Sequence, residues 1–311
     1  MSRPAASARR GEWLELMPGR LPLAEGQDRL AAALAWLEGS LGAPPKLIRK
    51  LQAEDGIKLA GDRIRLRAFP PRVSQYAPLD AELDVLYEDD FCLVVHKPAG
   101  VKVHPEGSGG APGPHLHAAP QDTLASRVAG LFAGRGEPVA AAHIHRLDEY
   151  TSGPVLFAKN EYAQLKLDDA MSRKEIGRTY VAFVKGIVSP ELKVIDRPIG
   201  RDRHHNRRRR VSPGGKPAVT RVERLEVFPR HEASLVRLTL ETGRTHQIRV
   251  HLSAEGHPLI GDALYGGNAK WLPHQALHGE RLVLPHPLTG EPVDLTDPWP
   301  SALQRLYEQL T

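Results

Sequence analysis

The chain has 311 residues, 41% of them hydrophobic, with 42 Lys and Arg against 37 Asp and Glu and a single cysteine. At roughly 150 residues per domain this is enough for about two domains, at least one with a sizeable core. No apolar run approaches the roughly 18 residues a spanning helix needs, and Met1 to Arg20 lacks the apolar centre of a signal peptide, so a cytoplasmic protein with no membrane association is expected. The lone Cys92 excludes an intrachain disulfide and a thiolate zinc cluster, and within the apolar run Phe91 to Val95 it reads as a core residue. A net charge of +5 means little by itself, but the basic residues are clustered, which points to a polyanionic partner.

After a polar start, the Ala- and Leu-rich stretch Leu30 to Leu41 has helical character and ends before Pro44-Pro45, with a basic Lys46-Leu-Ile-Arg-Lys50 beyond. Gly56 and Gly61-Asp62 punctuate two short alternating segments, Ile57-Lys-Leu and Ile64-Arg-Leu, which predict a hairpin. The Pro-containing stretch Phe69 to Asp80 reads as a linker, dividing the chain into a region 1–80 and a larger one over 81–311. Strands are expected at Val85 to Tyr87, Phe91 to Val95, Val155 to Ala158 and Tyr180 to Val184. The Gly- and Pro-rich segment Pro105 to Pro120 is expected as a surface loop. Asn160 is a candidate N-cap for a helix with Ala163, Leu167, Ala170 and Met171 on one face. Val236, Leu238 and Leu240 alternate with Arg237, Thr239 and Glu241, the pattern of a strand with one wet face. Thr245 is expected to cap a helix carrying Ile248 and Leu252, stopped at Gly256. Without regular βαβ alternation the fold class is α+β, its sheet mostly antiparallel.

Three segments place polar residues of defined type in apolar surroundings. The first is His143-Ile-His-Arg-Leu-Asp148, followed by Thr151-Ser-Gly153 and a strand; an Asp there has an ordinary reading as a turn or cap residue. The second is Arg178-Thr-Tyr180. The third is Glu241-Thr-Gly-Arg-Thr-His-Gln-Ile-Arg-Val-His251, where Arg244 and Arg249 are either solvated charges or, among Ile248, Val250 and Leu252, cations in need of an anion. Asp148 is the natural candidate for that anion.

These residues carry a family likeness. Lys97-Pro-Ala-Gly-Val with His104-Pro105, His145-Arg-Leu-Asp-Glu-Tyr-Thr-Ser-Gly153, Arg178-Thr-Tyr-Val-Ala-Phe-Val-Lys-Gly186, Gly215-Lys-Pro-Ala-Val-Thr220, Thr242 to His251, Gly261-Asp-Ala-Leu-Tyr-Gly266 and His286-Pro-Leu-Thr-Gly290 occur in one order. From about Leu83 to Pro300 the chain resembles RNA pseudouridine synthases of the RluA type. The resemblance implies a long bent, mostly antiparallel sheet and isomerisation of uridine to pseudouridine in structured RNA, without cofactor or metal. It makes Asp148 the essential aspartate acting on the ribose, Arg249 its basic partner, Tyr180 the tyrosine against the target base and Arg146 the arginine that enters the RNA stack as the uridine flips out. Lys97, Thr151, Arg244, His246 and Ile248 are expected on the substrate side. His96, Ala263 and Gly279 depart from the commoner family residues, none at a catalytic position. Leu47 to Lys50 through Gly56, Gly61-Asp62 and Ile64 resembles the end of an S4 RNA-binding domain, which leans toward ribosomal over transfer RNA.

The run Arg201 to Arg210 holds six arginines, two histidines and one aspartate. A solvated loop and a phosphate-binding loop are both consistent with it, and Arg207 and Arg208 are expected at the RNA backbone. His143 with His145, or His115 with His117, could offer two metal ligands each, but neither pair has the i, i+4 spacing with a nearby Glu of a zinc hydrolase, so no metal is expected. Two rivals remain: a non-catalytic RNA-binding protein that keeps the fold, and a glycoside or nucleoside hydrolase using Asp148, which would need a second carboxyl group placed across the substrate. A monomer without an obligatory protein partner is the default.

Overall fold

The computed structural model describes residues 6–19, 21, 28–105 and 121–311. His115, His117 and the loop expected from 106 to 120 lie outside the described residues.

The first sheet is built from β1 (Ala6–Arg10), β2 (Trp13–Met17), β3 (Ile57–Ala60) and β4 (Arg63–Leu66) in the order β1-β2-β4-β3. The expected hairpin is β3–β4. The polar start proves to hold a second hairpin, β1–β2, turned at Gly11 with φ of 59°. Glu15 stands on the face of β2 opposite the core residues Leu14 and Leu16. That carboxylate is buried and surrounded by Arg10, Arg63 and Arg65 at 3.0, 3.3 and 3.2 Å. Two helices pack on this sheet, α1 (Arg29–Gly39), N-capped by the Asp28 carboxylate, and α2 (Pro45–Ala53), which starts on Pro45, a residue suited to the first helical position. Leu14, Leu16, Leu37, Ile64 and Leu66 form one hydrophobic cluster that runs on into Cys92 and Leu156 of the following sheet and Tyr162 beside it.

That second sheet has the order β5-β6-β8-β7, from β5 (Val85–Glu88), β6 (Cys92–Lys97), β7 (Ala142–His143) and β8 (Gly153–Ala158). Between β6 and β7 lies α3 (Leu124–Gly134), capped by Thr123. Its two glycines obscure it in the sequence, yet Gly130 is required, because a Cβ there would collide with the Leu79 carbonyl. Helix α4 (Glu161–Ser172) is capped by Asn160 as expected and buries Ala163, Leu167 and Ala170.

The third sheet has six strands in the order β10-β13-β14-β9-β15-β16: β9 (Gly177–Lys185), β10 (Val194–Asp196), β13 (Val219–Phe228), β14 (Ala233–Leu240), β15 (Leu277–Pro285) and β16 (Pro292–Thr296). A separate two-stranded ribbon, β11 (Ile199–Arg201) with β12 (Arg209–Val211), occupies the arginine-rich run. Helix α5 (Gln247–Ala254) follows β14 and α6 (Ser301–Leu310) closes the described chain. Thr245 is not the cap of α5. His246 occupies that position in the left-handed region, φ 58°, and the Gln247 side chain satisfies the entry by accepting from the Arg244 N–H and the Thr242 hydroxyl at 3.0 and 2.8 Å. The Gly256 stop is as expected, at φ 84°. All strand ladders are antiparallel. No helix among the described residues is long and apolar enough to cross a membrane.

The second and third sheets join where β8 meets β15, giving the long bent surface expected of the fold. The Gly279 N–H donates to the Ser152 carbonyl at 2.8 Å, and the Ser152 hydroxyl lies 2.9 Å from His278 Nδ1. Gly153, at φ 136°, makes this approach possible, since a Cβ on it would lie 2.7 Å from the backbone of Gly279. Gly153→Ala is therefore expected to cost about 2 kcal/mol or more through combined strain and backbone collision. The thermal unfolding midpoint should drop by roughly 5 °C, and an unchanged midpoint would show that the junction is not close-packed.

Candidate functional site

The junction of the two sheets opens a cleft of about 450 Å³. Eight of the sequence-predicted residues border it: Asp148, Tyr180, Arg249, Arg146, Thr151, Arg244, His246 and Ile248. They come from three elements, the loop before β8, strand β9, and helix α5 with the turn leading into it.

Asp148 is held by its own loop. Its carbonyl accepts the Thr151 N–H at 3.0 Å, and the neighbouring Glu149 carbonyl accepts from Gly100 N–H at 2.9 Å and from the Lys97 ammonium at 2.8 Å. Lys97 also donates to the carbonyls of Pro98 and Val101, at 2.8 and 2.6 Å. It is fully buried and does not border the cleft, so the expectation that it binds substrate is corrected: it is a positioning residue that pins the loop carrying Asp148. Burial pushes its ammonium down to about 7 against the pull of Asp148 and Glu149, while three carbonyl acceptors call for all three of its protons.

Arg249 projects from α5 and is itself buried. Its Nη1 donates to Asp148 Oδ2 at 3.2 Å, and its Nε and Nη2 form a two-pronged pair with Asp262 at 2.7 and 2.9 Å. Burial opposes the guanidinium charge, but the two carboxylates outweigh it and raise its pKa. Tyr265 completes the cluster: its ring lies 5.0 Å from the Arg249 guanidinium carbon, and its hydroxyl accepts the Arg209 N–H at 2.8 Å and sits 2.8 Å from His246 Nδ1. His246 Nε2 lies 3.9 Å from Asp148 Oδ2. Burial lowers the His246 pKa against the pull of Asp148, which favours the neutral ring.

Tyr180 on β9 is buried and borders the cleft. Burial raises its phenol pKa, with Arg178 acting against and Asp148 with that shift, so it remains protonated at neutral pH. Arg146 is exposed at the mouth, its Nη1 3.0 Å from His104 Nε2. Arg244 donates from Nε to the Pro217 carbonyl at 2.9 Å. Thr151 is buried, with Gln275 Nε2 3.4 Å from its hydroxyl. His145 accepts the Leu156 N–H on Nε2 at 3.2 Å, and burial pushes its pKa down to about 3.

Arg207 and Arg208 are not brought to the cleft. Arg207 is exposed between β11 and β12, and Arg208 lies 5.5 Å over the Tyr265 ring, reaching the site only through that residue. Sequence reasoning missed Asp262 and Tyr265 as site members although both stand in Gly261 to Gly266. The signal was Arg249 itself, whose planar fork accommodates two carboxylates where only Asp148 was considered. Arg178, two residues before Tyr180 on β9, also borders the cleft. Among the described residues no group of three or more His, Cys, Asp or Glu is placed to hold a metal ion.

Comparison with known proteins gives a consistent result. A family profile described as RNA pseudouridylate synthase matches residues 91–254. The chain is 42% identical over 246 residues to an uncharacterized RNA pseudouridine synthase, YhcT, of Bacillus subtilis, covering 79% of this chain and 78% of that protein. It is 36% identical over 266 residues to the ribosomal large subunit pseudouridine synthase D of Vibrio parahaemolyticus, covering 81% and 78%. Among solved structures, human RNA pseudouridylate synthase domain containing 1 superposes with a TM-score of 0.56 at 26% identity, covering 74% of this chain and 94% of that one.

The Arg249 cluster makes a direct prediction for stability. Asp262→Ala leaves a buried guanidinium without its two-pronged acceptor and should destabilise the protein by about 3 kcal/mol, with Asp262→Asn losing less. Chemical denaturation would read this as a lower midpoint at unchanged slope, and a midpoint equal to wild type for Asp262→Ala would refute it.

Proposed function

The chain belongs to the RluA-type RNA pseudouridine synthases, which isomerise uridine in RNA, and from that premise we propose that Asp148 acts on the target ribose while Arg249 and Tyr180 assist it. The observation that carries this reading is the state of the cleft's carboxylates. Glu241, which also borders the cleft, is committed to Arg221 at 2.6 Å. Asp148 is held by a cation whose charge is already matched by Asp262, so its carboxylate is oriented without being neutralised.

The reaction breaks the C1′–N1 bond, turns the uracil and joins C5 to C1′, with the C5 proton lost and one gained at N1. Product and substrate contain the same atoms at the same oxidation level, so the balance requires no cofactor. Positive charge develops at C1′ as the glycosidic bond opens, and an ionised Asp148 is suited to stabilise or trap it. The protonated Tyr180 phenol offers a ring face to the base and an oxygen for the proton exchange at C5. Arg146 at the cleft mouth is suited to fill the gap in the RNA stack left by the flipped nucleotide. A hydrolase reading is disfavoured because Glu241, the other carboxylate at the cleft, is tied to Arg221.

Ribosomal RNA is favoured over transfer RNA as substrate, because the Vibrio parahaemolyticus relative is a ribosomal large subunit pseudouridine synthase and because the region 1–80 has an S4-like character suited to RNA. Region 81–311 carries the catalysis. The enzyme works as a cytoplasmic monomer with no obligatory protein partner.

Pseudouridine mapping by carbodiimide-dependent primer extension, on RNA from cells lacking this protein, tests the reading. A missing site restored by wild type but not by Asp148→Ala is the expected result, with Tyr180→Phe impaired and both variants still binding RNA. Restoration by Asp148→Ala would remove the aspartate from the chemistry. Neutralising Arg207 to Arg210 should weaken RNA binding and flatten its salt dependence, and a variant with the wild-type salt slope would exclude a backbone contact there.

A further inference from the structure

A second depression, of about 380 Å³, adjoins the cleft and shares Gly243, Arg244 and Thr245 with it. Four cationic side chains border it, Arg201, Arg209, Lys216 and Arg244, and no carboxylate does. Among the described residues none of the four forms an ion pair with Asp or Glu. The nearby acids are spent elsewhere, Asp202 towards Arg208 and Glu241 on Arg221. Arg201 and Arg209 stand directly opposite each other in the β11–β12 ladder. Like charges at opposed positions of an antiparallel pair destabilise it, so this ribbon carries a repulsion that an anion between the two guanidinium groups would remove. Two of its glycines allow close packing around it: Gly215 lies against the Ile199 backbone where a Cβ would collide, and a Cβ on Gly243 would meet Arg178 Nη1 at 3.0 Å.

We propose that this depression is a dedicated phosphodiester site that holds the RNA backbone beside the nucleotide flipped into the catalytic cleft. The inference rests on the reading that RNA is isomerised in that cleft, and it adds the place where the strand is gripped. It also divides the arginine-rich run: Arg201 and Arg209 border the depression, whereas Arg207 and Arg210 do not. Because the site holds backbone and not base, its side chains contribute equally to bound substrate and transition state, and losing them should raise KM and leave kcat unchanged.

The test is the double variant Arg201→Gln with Lys216→Gln, compared with wild type and with Arg230→Gln, a surface change at the opposite end of β14. Binding of a large-subunit ribosomal RNA transcript is measured by anisotropy over a salt series, and turnover by tritium release from C5-labelled uridine. Loss of two phosphate contacts should flatten the log Kd against log salt slope by about 1.5 and raise KM several-fold at constant kcat, with Arg230→Gln at wild-type values. A slope equal to wild type, or a fall in kcat at constant KM, overturns the proposal. Calorimetric titration with inorganic phosphate separates the sources, since a phosphate affinity lost in the double variant without any change in the RNA slope would assign the depression to a free anion and overturn it. If wild type released no tritium, the catalytic reading would fail, while the salt slopes would still decide this one.

Discussion

The structure depends on one buried cation shared between two carboxylates. Arg249 is taken almost wholly out of water, a placement tolerable only because Asp262 meets its fork with two short hydrogen bonds and Asp148 takes the remaining Nη1. The arrangement has a net charge of minus one. Asp262 balances the guanidinium, and Asp148 is left as the carboxylate that faces the cleft with its charge unspent. A single Asp–Arg pair would have fixed the aspartate equally well but cancelled it. The third member is what turns a structural ion pair into a site able to respond to positive charge at a sugar carbon.

Much of the remaining fold positions the three parts of that cluster. Asp148 is set by a loop whose carbonyl at Glu149 is held from beneath by Lys97 and Gly100, and Arg249 by a helix whose residues from Gln247 to Leu252 are all buried. Asp262 follows strand pairing that passes through β9 and the chain near Leu259. These segments belong to two sheets, and the sheets can approach only because Gly153 and Gly279 present bare backbone to each other. Tyr180, next to that junction on β9, is thereby brought to the same cleft as Asp148.

The chain's periodic segments were legible before the structure: the β3–β4 hairpin, α4 with its Asn160 cap, and the alternating face of β14. What escaped were elements whose pattern is broken for a physical reason. Strand β2 buries a carboxylate, Glu15, on the face opposite Leu14 and Leu16 because three arginines surround it, and α3 carries Gly130 where the Leu79 backbone leaves no room for a side chain. Site residues divide in the same way. Motif likeness and the demand of a buried charge for a partner singled out Asp148, Tyr180 and Arg249, which border one cleft. Lys97 was placed on the substrate side by the family likeness of its motif, and only three-dimensional packing reveals that its protons are consumed by three carbonyls. Asp262 and Tyr265 were invisible as site members because their contacts with Arg249 and His246 bring together segments more than ten residues apart.

The electrostatic layout follows from the contrast between the cleft and its rim. At the centre, the Asp148, Arg249 and Asp262 cluster is negative on balance, which suits the positive charge that the proposed reaction develops at C1′. A site that is negative throughout would repel a polyanion, so the cations have to be near the reacting carbon yet outside its immediate surroundings. The fold satisfies both conditions by placing them on separate elements: Arg146 at the mouth, Arg244 on the shared wall, and Arg201, Arg209 and Lys216 around the ribbon beyond it. Tyr265 connects the two layers, its ring beside Arg249 and its hydroxyl bonded to the Arg209 backbone, so the strand carrying Arg209 is anchored to the cluster that holds Asp148.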